Sequence, residues 1–350
     1  MKLGDFTRMT GEWLRGEGPL ADVVVSTRVR LARNLAGYPF LTRASDSERT
    51  EIYRILSERI AACPFGRDAV LVDLEEADAL DRELLVERHL ISKQHAEGAG
   101  SRGVTISAGE TMALMLNEED HLRIQGLSCG MQVEEVWREA DRIDSELGAH
   151  LDFAFDCQFG FLTACPTNVG TGIRVSVMLH LPALKLTQEI ERILRAARDM
   201  HLAIRGLYGE GTEAAGDFFQ ISNQTSLGKT EAELARSFVD SIVPRIVEYE
   251  RVARTALART RGQQLDDKIW RAYGTLAQAR MISTEETQAL LSPLRMGICM
   301  DRFHELDLPR LNEIFLLTQP AHLQKVLDKS LDGQARAAAR ADFIRSRLES

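Results

Sequence analysis

The strongest constraint on the fold is an alternation across residues 173–181. Ile173, Val175, Val177, Leu179 and Leu181 fall on one side of an extended chain, with Arg174, Ser176, Met178 and His180 on the other. A period of two predicts a strand with one apolar and one polar face. The ten residues Cys165-Pro-Thr-Asn-Val-Gly-Thr-Gly-Ile-Arg174 lead into it. They combine a thiol, a turn-forming Pro-Thr-Asn and two glycines, and they deliver an arginine onto the polar face. A turn of this kind above a sheet predicts an anion site.

A second strand is expected at 23–31, with Val23, Val25, Thr27, Val29 and Leu31 on one face and Ser26, Arg28 and Arg30 on the other. Two arginines side by side on one face repel unless an anion or carboxylate lies between them. Further strands are expected at 69–74, 104–107, 111–116, 122–127, 159–163 and 218–222. Amphipathic helices are expected at 45–63, 80–90, 131–147 and 187–204, the last capped by Thr187. Residues 205–216 read as a glycine-rich loop. From Thr230 the pattern turns helical, with helices at 231–260, 265–279, 284–291, 311–319 and 334–348. The expected division is a leader over 1–21, a sheet-containing catalytic domain over 22–252 and an all-α domain over 253–350. The fold class is therefore α+β.

A net charge of −9 argues against a general nucleic-acid binder, yet 36 arginines stand against 7 lysines. Arginine clusters on an acidic body suit anionic ligands. The five cysteines form no C-x-x-C pair, as in a reduced cytosolic protein. The N-terminus lacks a signal-peptide core and no run is long enough to span a bilayer, so a cytoplasmic location is expected. Gly228-Lys229-Thr230 imitates the end of a phosphate-binding loop, but Asn223 stands where its first glycine belongs. His304-Glu305 lacks the second histidine of a zinc helix, and no Rossmann fingerprint follows a strand.

Nucleotide, if bound, must then be held by side chains. Arg28, Arg30, Arg123, Arg174 and Arg205 lie in or beside strands, and carboxylate-bearing loops surround Glu118–Asp120 and Glu210. Convergent arginines suit the oxygens of a triphosphate. The carboxylates call for a cationic acceptor, and a guanidinium is planar and binds carboxylates bidentately.

Four blocks sharpen this reading. Ser26-Thr27-Arg28-Val29-Arg30, Asn117-Glu118-Glu119-Asp120-His121-Leu122-Arg123, Cys165-Pro166-Thr167-Asn168-Val169-Gly170-Thr171 and Arg205-Gly-x-x-Gly-Glu210 resemble the signatures of the ATP:guanidino phosphotransferases, in the same order. That family includes the creatine and arginine kinases. The chain is most similar to its bacterial protein-arginine kinase branch. Only residues 1–22 precede the first strand, where the small-substrate kinases carry a helical domain, and a helical extension follows instead.

The resemblance implies an antiparallel sheet flanked by helices, and transfer of the γ-phosphoryl group of Mg-ATP to protein arginines. It places ATP on Ser26, Thr27, Arg28, Val29, Arg30, His89, Arg123, Arg174, Val175, Ser176, Val177, Met178, Arg205, Gly206, Leu207, Tyr208, Gly209 and Glu210. Glu119 and Glu210 would hold the guanidinium, one of them taking its proton, with Cys165 orienting it as a thiolate. Magnesium would be held mainly by ATP oxygens and water. Arg336-Ala-Ala-Ala-Arg340-Ala341 resembles an Arg-Asp-x-x-Arg-Ala motif that senses phosphoarginine, with Ala337 in place of the aspartate. The implied partners are a heat-shock repressor, misfolded proteins and Clp-type proteases, with a homo-oligomeric assembly and a role in stress response. The alternatives are a kinase for free arginine or another small guanidino compound, and a non-catalytic phosphoarginine reader.

Overall fold

The structure, a computed structural model, describes residues 3–7, 10–206 and 215–349. Its centre is an eight-stranded antiparallel sheet. In chain order the strands are β1 (Val24–Arg33), β2 (Val70–Asp73), β3 (Gly103–Ile106), β4 (Met112–Leu116), β5 (Leu122–Cys129), then a separate two-stranded hairpin of β6 (Phe155–Asp156) and β7 (Gly160–Phe161), then β8 (Ile173–His180), β9 (Leu202–Gly206) and β10 (Phe218–Asn223). The spatial order is β2-β3-β4-β5-β1-β8-β10-β9, so β1 lies in the interior with β5 and β8 on either side.

The expected alternation sets the two faces. Val29, Leu31, Val175, Val177 and Ile221 are buried on one face, in a core shared with Ile52, Leu56, Ala140, Ile143, Leu194 and Leu234. Those partners come from the helices Asp46–Ala62, Val133–Gly148, Ile190–Asp199 and Glu231–Ser237. The first of these opens on a capping box, Ser45 with Glu48, and ends at Cys63-Pro64.

The other face is divided. At one end Leu127, Met178 and Phe218 join a second core with Trp13 and with Leu291, Ile314 and Phe315 of the C-terminal helices. At the other end lie the arginines. The expected domain boundary at 252/253 falls within the first part of the helical run Val243–Gln278, which is broken by a kink at Arg261 (φ −138°, ψ 31°). Among the described residues no helix is long and apolar enough to cross a membrane.

Several local expectations change. The helix placed at 187–204 stops at Asp199, because His201 turns left-handed (φ 57°) and the chain re-enters the sheet as β9. Thr187 instead closes the short helix Pro182–Leu186. Arg205 therefore stands in a strand, not a loop. The strand expected at 159–163 shrinks to the β7 half of the hairpin. The helix expected at 284–291 runs on to Cys299, and Pro320–Leu327 is a helix that periodicity did not signal.

A buried polar chain ties the C-terminal helices to the sheet. Glu87 caps the helix Pro320–Leu327, accepting from the Ala321 and His322 amides at 2.8 and 3.0 Å and lying 2.7 Å from His322 Nδ1. The far ring nitrogen of His322 is 3.0 Å from Arg88 Nη1, so His322 accepts there and donates to Glu87. Arg88 in turn grips Glu110 through both carboxylate oxygens.

Burial pushes Glu87 up to about 7, against the pull of the two amides. A carboxyl raised above its ordinary value of 4.5 stabilises the fold fully below that pH, and the contribution is lost as pH climbs through about 7. Thermal melts of Glu87→Gln beside the parent should show the variant gaining on the parent across that window. A constant gap would exclude this linkage.

Candidate active site

The strand register gathers the five arginines on one sheet face. Arg30 stands opposite Arg174 on β8 and opposite Gln125 on β5, Ala32 opposite Arg123, and Gln220 opposite Arg205. Like charges directly opposed on adjacent strands destabilise a sheet. Arg123 is met by three carboxylates of the neighbouring loop, while Arg28 and Arg174 also reach neutral side chains of the same face. Arg28 Nη2 donates to Gln220 Oε1 at 3.0 Å and its Nε to Ser176 Oγ at 3.4 Å, while Arg174 Nη2 donates to Ser222 Oγ at 2.9 Å. Burial first, and then Arg174, Arg205 and Arg123, push Arg28 down to about 10. Arg30 is driven well below its usual value by burial and by Arg28, Arg123 and Arg174, with Glu118 opposing. Such a cluster is relieved by an anion.

Arg30, Arg174 and Arg205 line one side of an open cavity of about 490 Å³. Cys165, Thr167, Asn168 and Gly172 line another side, and Ser92, Gln94, Glu118, Glu119 and Arg123 complete it.

The three consecutive carboxylates have separate duties. Arg123 reaches all of them, at 2.5 Å from Glu118, 2.7 Å from Glu119 and 3.4 Å from Asp120. Burial works to raise Glu118, but Arg123, the Ser92 hydroxyl and the Glu119 amide hold it below the usual carboxylate range. Asp120, fully buried, accepts from Asn34 Nδ2 and from the Ala164 amide, both at 2.8 Å. It thereby pins the residue next to Cys165. His121 bridges the Leu35 amide and the Pro39 carbonyl. Only Glu119 keeps a substantially open carboxylate, 37 % exposed, toward the cavity.

The Cys165 turn is held from below and behind. Arg33, 1 % exposed, donates to the Thr171 carbonyl at 2.8 Å while gripping Asp144 and lying 3.6 Å from the centre of the Phe161 ring. Gly172 has φ +68°, and a Cβ there would fall 2.6 Å from the Ala32 carbonyl oxygen. Ser226 Oγ donates to the carbonyls of Asn168 and Val169. Within the turn Cys165 Sγ lies 3.1 Å from Thr167 Oγ1.

Beside Arg28 the same face becomes a narrow, mostly apolar slot with a gap of about 20 Å³ among Trp13, Ser26, His89, Leu127, Ser176, Met178 and Gln220. His89 meets Trp13 edge-on at 4.7 Å. It is kept neutral, pushed down to about 3 by burial and then by Arg28.

The structure thus brings together Ser26, Arg28, Arg30, His89, Glu119, Arg123, Cys165, Arg174, Ser176, Met178 and Arg205. Thr27 faces away and donates to the Gly130 carbonyl, and Val29, Val175 and Val177 sit in the opposite core, so none of the four offers a side chain to this face. Gly206 ends β9, while Leu207, Tyr208, Gly209 and Glu210 lie outside the described residues. Gln220 and Ser222 are additions, and the alternation of Phe219 and Ile221 with them was the signal for both. Asn34, Asp144 and Gln94 carried no local signal.

Arg336 and Arg340 lie on the last helix, Gly333–Glu349. Arg340 is 3 % exposed and donates to the carbonyls of Thr318 and Ile282, and Ala341 is fully buried. A cavity of about 560 Å³ nearby is lined by Glu83, Glu87, Lys93 and Glu285, and Glu285 interacts electrostatically with Arg340. Among the described residues no group of His, Cys, Asp and Glu side chains forms a metal cage.

Residues 52–253 match a model described as ATP:guanido phosphotransferase, C-terminal catalytic domain, and residues 262–350 one described as protein-arginine kinase McsB C-terminal domain. The chain is 45% identical over 347 residues to a protein-arginine kinase of Symbiobacterium thermophilum, covering 98% of each chain. It is 44% identical over 341 residues to one of Moorella thermoacetica, covering 96% of this chain and 97% of that one. Among solved structures it resembles a lombricine kinase (TM-score 0.61, 25% identity, 69% of this chain and 70% of that one). It also resembles the duplicated taurocyamine kinase of Schistosoma mansoni with transition-state analogue components (TM-score 0.61, 28% identity, 69% and 36%).

Proposed function

The chain belongs to the ATP:guanido phosphotransferase family and acts as a protein arginine kinase, and we propose that the 490 Å³ cavity is where the γ-phosphoryl group of ATP passes to an arginine side chain. The observation that carries this reading is the meeting of two unlike half-sites. Arginines clustered on one sheet face line the cavity together with a part-exposed glutamate and a thiol.

In this reading Arg28, Arg30, Arg174 and Arg205 neutralise the polyphosphate, and Arg123 joins them from the acceptor side. His89 and Met178 receive the base end. Glu119 accepts hydrogen bonds from the substrate guanidinium and takes its proton as phosphorus is attacked, and Cys165 orients the same group from across the cavity. Glu210 is proposed as the second carboxylate. The carboxylates of the cavity are already bound to Arg123, so magnesium would ride on phosphate oxygens and water, where it supplies charge neutralisation.

Glu119→Gln should lower kcat by about 10²–10⁴ and leave the KM for ATP within a few-fold. Unchanged kcat would remove Glu119 from the chemistry. The function itself is tested by incubating the full chain with Mg-ATP and an unfolded basic protein, then locating phosphate by mass spectrometry under non-acidic handling. Phosphate on arginine is the expected result, and phosphate found only on hydroxyl side chains, or none, would overturn it.

The wider setting follows the family. Cytoplasmic heat-shock repressors, misfolded proteins and Clp-type proteases are the proposed partners, in a stress-response role carried out by a homo-oligomer. The cavity beside Arg336 and Arg340 is proposed to sense phosphoarginine, with Glu285 supplying the carboxylate that Ala337 lacks.

A further inference from the structure

We propose that the β6–β7 hairpin and Leu227 form an apolar shelf at the rim of the active-site cavity, and that it binds apolar residues flanking the target arginine in a polypeptide substrate. This rests on the protein-arginine kinase reading and extends it to how the polypeptide is held.

Phe155 and Phe159 are the exposed phenylalanines among the described residues, at 59% and 47%, and Leu227 is 58% exposed. Single exposed apolar side chains need no explanation. These three belong to segments fastened to the Cys165 turn. Phe155 pairs with Phe161, their ring centroids 5.3 Å apart. The Phe161 amide donates to the Gly170 carbonyl at 2.7 Å, and the Gly170 amide returns a bond at 3.3 Å. Asp156 Oδ1 accepts from the Gln158 and Phe159 amides at 2.8 and 3.0 Å, which fixes the hairpin tip.

On the other side Gly170 packs so closely on Leu227 that a Cβ there would lie 3.0 Å from the Leu227 Cα. Ser226, the preceding residue, is hydrogen-bonded to the carbonyls of Asn168 and Val169. Asn168 and Cys165 line the cavity itself. The shelf is therefore joined to the site through the Cys165 turn, by the Phe161–Gly170 backbone bonds and the Ser226 hydroxyl.

On the proposed function the cavity receives the guanidinium of one arginine, so the residues on either side of that arginine lie over its rim. An acidic rim would select basic neighbours. This rim offers two phenyl rings and an isobutyl group, whose largest gain comes from burying apolar side chains against them. Arg33 beneath Phe161 and the Gly170 bridge leave the shelf little freedom, so little ordering cost is added on binding.

The test compares two peptides phosphorylated by the full chain with Mg-ATP. One has an arginine flanked by Ser and Gly, and the other has Leu and Phe in the flanking places. The parent protein should favour the apolar-flanked peptide by about tenfold or more in kcat/KM, chiefly through KM. The triple variant Phe155→Ser, Phe159→Ser, Leu227→Ser should bring the two peptides close to parity while turning over the Ser-Gly peptide as the parent does. Equal use of both peptides by the parent, or a preference that survives in the triple variant, would overturn the shelf. Failure of the parent to phosphorylate either peptide or the unfolded protein would overturn the kinase reading beneath it.

Discussion

Arg30→Met is expected to make the nucleotide-free protein more stable while lowering kcat/KM for ATP-dependent phosphorylation by about 10²–10³. Both effects come from one cause. Arg30 lies opposite Arg174 and is held far below its ordinary value by burial and by three neighbouring guanidinium groups. A cation in that position strains the empty fold, and a methionine of similar reach relieves the strain and fills the space, for a gain of about 1–3 kcal/mol. The same cation meets phosphate oxygens when ATP arrives, so the parent protein should melt higher with Mg-ATP and the variant should respond much less. Melting curves of both proteins, with and without nucleotide, decide the matter. A variant that melts below the parent without nucleotide would show that Arg30 is not under repulsive strain.

Glu110→Ala is expected to cost about 3–5 kcal/mol of stability, the largest loss anticipated for a single side chain away from the cavity. Arg88 and Glu110 both have fully buried side chains, with Arg88 Nη2 2.7 Å from Glu110 Oε1. Removing the carboxylate takes from the buried guanidinium the anion bound to it at 2.7 Å. Arg88 also directly precedes His89, whose left-handed backbone (φ 58°) sets its ring against Trp13. Affinity for ATP should therefore fall along with stability. Glu110→Gln, which keeps one acceptor, should lose less. Chemical denaturation of the three proteins gives the order, and equal stability of Glu110→Ala and the parent would refute the pair's role.

The donor half of the site was legible because strands announce themselves by period. Arg28 and Arg30 on one strand and Arg174 on another alternate with apolar residues that had to be buried, so the polar face of each strand followed from spacing, and the β1–β8 register joins the two faces. The helix drawn through 187–204 failed where periodicity gives no warning. Leu202 and Ile204 continue an apolar pattern, and the break is made by His201, a residue with no turn signature. The carboxylate loop was visible as chemistry, but its division of labour was not. Asp120 is committed by Asn34, 86 residues away, and by the amide of Ala164, and nothing local to the loop points to either. The helix Pro320–Leu327 owes its start to a cap supplied by Glu87, 234 residues before Ala321 and still more distant in sequence.

The interior position of β1 bears on how the molecule is lost as well as on how it binds. The strand that carries Arg28 and Arg30 is hydrogen-bonded along both edges, to β5 and to β8. Its amides should be among the slowest in the protein to exchange with deuterated solvent, opening only when the whole sheet opens. The arginines of β1 should be released only with the sheet as a whole, even though Arg205 stands on the edge strand β9. Heat or denaturant should therefore abolish nucleotide binding and the global fold in a single transition, with no inactive but folded intermediate between them.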